Sequence, residues 1–83
     1  MWERRRKTLE IEGVTLELVE MTSVQMAKML DFQDESKAGF FMIASSIESP
    51  SVSVEEVEQF PNRIQMVLTQ ELLDLNGIGA EKK

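Results

Sequence analysis

At Met21 the spacing of the apolar residues changes from every second position to a helical repeat, and that switch constrains the chain to a mixed fold. Before it, Leu9 and Ile11 and then Val14, Leu16 and Leu18 alternate with polar residues. Glu12-Gly13 separates the two runs. This is the pattern of two short strands joined at a glycine turn, with Arg6, Thr8, Glu10 and Glu12 directed away from the core. A lone hairpin is barely stable in water, so its apolar face requires a helix or a partner chain over it.

After the switch, Thr22 and Gln25 fit a capping box, and Val24, Ala27, Met29 and Leu30 follow in a first helix that ends near Phe32. Asp34 or Ser36 can cap a second helix through Ile47, carrying Phe40, Phe41, Ile43, Ala44 and Ile47, with Gly39 a weak point within it. That helix is apolar on most sides, which places it at the centre of the fold. Glu48-Ser49-Pro50-Ser51 breaks it, and Ser53 with Glu56 forms another capping box that starts a helix toward Phe60. Pro61 suits the first turn of the last helix. Ile64, Val67, Leu68, Leu72 and Leu75 form its apolar stripe, expected to be used up by packing, and Asn76-Gly77 closes it. The expected fold is α+β, an N-terminal β-hairpin followed by three to four short α-helices. One domain spans residues 1–83, ordered from about 7 to 77, with 1–6 and 78–83 read as mobile ends and Ile78 as exposed.

With no cysteine, neither disulfides nor thiolate metal sites can reinforce so small a core. Histidine and tyrosine are absent too, which removes the commonest general base and the phenolic acid, so no enzyme and no cofactor is expected. Glu55, Glu56 and Glu58, or Asp31, Asp34 and Glu35, lack the glycine-centred alternation of a calcium loop and read as first-turn acids that favour the positive end of a helix dipole. Gly77-Ile78-Gly79 reads as a helix stop rather than a phosphate loop. The longest uncharged run, Ala38 to Ile47, is about half of the roughly 20 residues that cross a bilayer, so no membrane span is expected. Leu-Glu-Ile-Glu after Lys7 is not the apolar stretch of a secretory signal.

A net charge of -6 opposes nucleic-acid binding over most of the surface. Arg4, Arg5, Arg6 and Lys7 concentrate the positive charge near one end but carry no aromatic ladder with them. The methionines suggest a different role, because thioethers adapt to irregular partners. Met26, Met29 and Met42 either fill a small core or contribute to such a face. Val24, Met26, Met29 and Leu30 cover a wide arc of a short helix, more than one neighbour can bury, so these four and Trp2 are the candidate partner-binding residues. The outer strand, near Lys7 to Ile11, leaves unpaired backbone groups that a second copy can satisfy, which predicts a homo-oligomer.

In order, the chain shows a hairpin ending in Leu16-Glu17-Leu18-Val19-Glu20-Met21-Thr22, a helix, an aspartate-rich break, and a central helix ending in Ile43-Ala44-Ser45-Ser46-Ile47. Ser49-Pro50, Val54-Glu55-Glu56-Val57, Phe60-Pro61 and a last helix closing on Leu75-Asn76-Gly77 follow. From roughly Leu9 to Gly77 this order resembles the tail assembly chaperones of long-tailed bacteriophages. The resemblance implies a small non-catalytic protein, cytoplasmic in the infected or lysogenic bacterial cell and absent from the finished virion. Its partners would be the tape measure protein, which it coats, and the tail tube subunits that polymerise around it. A small acidic domain with an adaptable apolar face is suited to covering a long helical chain. The alternative is a small regulatory protein of antitoxin or transcription-cofactor type that holds nucleic acid through Arg4 to Lys7. A carrier protein is disfavoured because the Asp-Ser-Leu that anchors a phosphopantetheine arm is missing.

Overall fold

Ile11 and Val14 face each other across the two-residue turn Glu12-Gly13, whose φ angles of 51° and 85° are both positive, as a type I′ turn requires. In this computed structural model, which describes residues 1–78, the turn joins β1 (Arg6–Ile11) to β2 (Val14–Val19). Glycine takes its positive φ without cost, whereas Glu12 is held there by a turn twist that matches the strands. The ladder pairs Leu9 with Leu16 and Lys7 with Leu18, so the apolar residues of both strands share one face.

The helices are α1 (Ser23–Asp31), α2 (Glu35–Ser46), α3 (Val54–Glu58) and α4 (Asn62–Leu75). Each of the first three starts where a side chain satisfies amides that have no intrahelical partner. In α1 the Gln25 N–H donates to Thr22 Oγ1 at 3.2 Å and the Thr22 N–H to Gln25 Oε1 at 3.0 Å. The Ser53 and Glu56 pair repeats this at α3, with distances of 3.1 and 2.8 Å. Asp34 rather than Ser36 caps α2, accepting from the Ser36 amide at 2.8 Å. Pro61 is the cap residue of α4, one position before the expected first turn, with ψ 144° and no side-chain cap bond. At the same corner Gln65 Nε2 donates to the carbonyls of Val57, in α3, and of Phe60, just after it, tying α4 to the end of α3. At the other end of α4, Gly77 at φ 72° donates to Asp74 O and Ile78 to Leu73 O, the paired bonds of a Schellman motif. Ile78 is therefore tied to the helix and half-buried, not exposed as the sequence suggested. The rest of the expected tail, residues 79–83, lies outside the described residues.

One strand escaped the sequence pattern. Ile47, expected at the end of the central helix, instead opens β3 (Ile47–Ser49), which pairs antiparallel with the free side of β2 and gives the sheet order β1-β2-β3. The Ile47 N–H still donates to the Ile43 carbonyl as the cap of α2, so helix and strand meet at one residue. The register shifts between Glu17 and Leu18, an irregularity at which β3 ends, and the Ser49–Pro50 peptide is cis.

Leu16, Leu18, Met21, Met42, Ile43, Ile47, Val57, Leu68 and Leu72 form the core, with α2 packed against α1, α3, α4 and β3. Burying each such aliphatic side chain contributes about 1.5–3 kcal/mol, and partly buried residues such as Phe40, Phe60 and Ile64 pack against them. Val67, assigned to the packed stripe of α4, is instead 41% exposed beside Met66 at 65%. The stripe that packs is Leu68 and Leu72, fully buried, with Ile64 and Leu75 half-buried against the core. Val19 is 3% exposed although strand alternation turns it away from the main cluster. Arg6 sits opposite Val19 on β1 and pairs with Glu48 on β3, so this ion pair spans the β2 strand that carries Val19.

Candidate functional site

The N-terminal segment and α1 form the least buried part of the fold. Glu20 holds the segment in place by donating its N–H to Arg5 O at 2.8 Å and accepting the Arg5 N–H on its carboxylate at 3.0 Å. Arg4 donates Nε to Glu20 O at 2.7 Å and Nη2 to Gln25 Oε1 at 3.2 Å, fastening the segment to the first turn of α1. Trp2, two residues before that anchor, is 94% exposed.

No residue of α1 is fully buried. Met26 and Met29 turn inward and pack, half-buried, against the core. Leu30 is 72% exposed and Val24 68%. Beside α1 a shallow groove of about 360 Å³ runs between residues 20–23, the α1 residues Met26, Ala27 and Leu30, and Asn76 at the end of α4, so apolar and polar side chains share its lining. Its floor is Met21, which is 6% exposed, and Leu30 stands on its rim. At 100° per residue Val24 lies about 160° around the helix from Met26, on the opposite flank.

The five sequence-derived contact residues thus do not form one continuous face. Met26 and Leu30 share the groove, Met29 belongs mainly to the core edge, Val24 looks the other way, and Trp2 stands exposed two residues before Arg4. Met42, weighed as core or contact residue, is core at 3% exposure. Met21 counts among the adaptable methionines but not among the five contact residues, and Asn76 among neither, because the end of α4 approaches Met21 only in the folded chain. Phe32 was also missed. It follows α1, is 41% exposed, and tilts against Phe41 with ring centroids 5.5 Å apart, within the range of a favourable aromatic pair.

A second apolar recess of about 260 Å³ lies between the hairpin turn and the α3–α4 corner, lined by Ile11, Val14, Leu16, Phe60, Pro61 and Ile64. Its rim is a two-pronged ion pair in which Arg63 Nε and Nη2 donate to Glu12 Oε2 and Oε1, each at 2.8 Å. These hydrogen bonds hold the Glu12 carboxyl below its ordinary pKa and raise that of Arg63.

The basic run is largely engaged within the chain. Arg4 is bonded as above, Arg6 pairs with Glu48, and Lys7 pairs with Glu71 of α4. Among the described residues no helix is long and apolar enough to cross a membrane, and no group of three or more acidic residues is arranged to hold a metal ion.

No family model, curated protein or solved structure matches this chain.

Proposed function

We propose that this chain is a non-catalytic assembly chaperone of the kind found in long-tailed bacteriophages, covering a tape measure protein while tail tube subunits polymerise around it. The observation that carries this reading is the groove along α1, where exposed Leu30 stands beside half-buried Met26 and buried Met21. An apolar side chain from a long helical partner can enter such a groove, and methionines adjust to successive, non-identical side chains. The ordered resemblance in sequence supplies the partner's class. The chain's net charge of -6 favours the solubility of a coated complex. Such a protein works in the cytoplasm of the infected or lysogenic bacterium. Engagement of Arg4, Arg6 and Lys7 by acceptors of the same chain weighs against the nucleic-acid alternative.

Co-expression with the tape measure protein of its own genome is the direct test. The wild-type chain is expected to raise that protein's soluble yield and to co-purify with it, and Leu30→Glu to do neither while remaining folded. Unchanged yield without co-purification of the wild-type chain sinks the proposal.

A further inference from the structure

The outer edge of β1 carries a self-complementary pattern. Glu20 N–H donates to Arg5 O, and Ile11 and Val14 close a two-residue turn, so the odd-numbered residues of β1 direct their N–H and C=O groups at β2. Arg6, Thr8 and Glu10 therefore direct theirs outward, where nothing among the described residues pairs with them.

We infer that two copies of this chain join antiparallel through these edges, about a two-fold axis at Thr8. The axis must stand perpendicular to the sheet, which keeps each side chain on its own face and sets Arg6 opposite Glu10 of the second copy, Thr8 opposite Thr8, and Glu10 opposite Arg6. All three residues with outward backbone groups then find partners. Sliding the copies by one two-residue step in either direction leaves an outward group of β1 unpaired or facing the turn. The same register places a positive and a negative charge across the interface twice, a favourable cross-strand pair. Glu10 has no partner within the described residues, so it is free for this contact.

Lysine and arginine on an edge strand often discourage such pairing. Here Lys7 is on the core-facing side and tied to Glu71, and Arg6, whose side chain stays 57% exposed beside Glu48, meets the opposite charge of Glu10 across the axis, so neither charge guards the edge. Leu9 and Ile11, half-buried in the single chain, gain cover as the two sheets merge into one of order β3-β2-β1-β1-β2-β3. This inference concerns the opposite side of the hairpin from the α1 groove and stands whether or not the proposed partner is correct.

The test is sedimentation of the full chain with two charge reversals. Wild type is expected to dimerise with rising concentration. Arg6→Glu and Glu10→Arg should each weaken the dimer by roughly tenfold, because each sets two like-charged pairs across the axis. An equimolar mixture should recover the wild-type affinity, since the paired arginines of the Glu10→Arg chain then face the paired glutamates of the Arg6→Glu chain. Thr8→Pro provides a second probe: it removes an outward N–H, leaves the β1–β2 bonds in place, and should give a folded monomer. A wild type that is monomeric at high micromolar concentration overturns the inference. So does a mixture no tighter than the separate variants, or a Thr8→Pro chain that is folded and still dimeric.

Discussion

The side-chain carbonyl of Asn76 accepts the backbone N–H of Met21 at 2.8 Å, joining the end of the last helix to the point where the chain leaves the hairpin. The Asn76 amide also donates to the Leu72 carbonyl at 2.8 Å, so one side chain both closes α4 and satisfies a donor 55 residues away in sequence. Asn76→Leu orphans the Met21 amide and should cost about 1–3 kcal/mol in urea unfolding. Asn76→Asp keeps the acceptor and should lose less. Equal stability of all three proteins would show that the bond is not holding the two elements together.

Arg63 and Glu12 give a pH signature. Arg63 depresses the folded-state pKa of Glu12, so the stabilisation is present above the unfolded carboxylate value and fades as pH falls through the folded one. The difference in urea midpoint between wild type and Arg63→Gln should therefore be present at neutral pH and close on acidification below the carboxylate range. Added salt should narrow it too, because both partners are exposed. A gap independent of pH and salt would mean that Arg63 acts through packing over the recess.

Core and groove separate by substitution. Leu68 is fully buried, so Leu68→Ala should cost about 2–5 kcal/mol and Leu68→Glu should unfold the domain. Leu30→Glu should shift stability by no more than about 0.5 kcal/mol. Met26→Glu is expected to fall between them, because half of that side chain packs on the core. Thermal melts followed by circular dichroism rank the three. A Leu30→Glu loss as large as that at Leu68 would place Leu30 in the core.

Gly39 lies inside α2 at an ordinary helical φ, and a Cβ built there meets no atom within 4 Å. Gly39→Ala should therefore stabilise the protein by about 0.5–1 kcal/mol, through lower entropy of the unfolded chain. Destabilisation on urea titration would reveal a steric or functional need for the glycine.

Much of the local structure is determined by sequence alone. Alternation from Leu9 to Leu18 around Glu12-Gly13 specifies the hairpin and its register, the Thr22–Gln25 and Ser53–Glu56 pairs start two helices, and Gly77 stops the last one. Each of these depends on groups a few residues apart, so the pattern and the contact coincide in sequence. Tertiary structure decided the rest. Ile47–Ser49 is too short to announce a strand and becomes β3 only because β2 offers it an edge. Helical spacing marked Val67 as apolar, but only the packing of α4 left it outside while burying Leu68. The candidate site divides in the same way. The apolar character of α1 was legible, yet which methionines face the core, and that Met21 and Asn76 complete the groove, depends on contacts between distant segments. Those contacts are selected by shape and burial across the whole core, which no local pattern records.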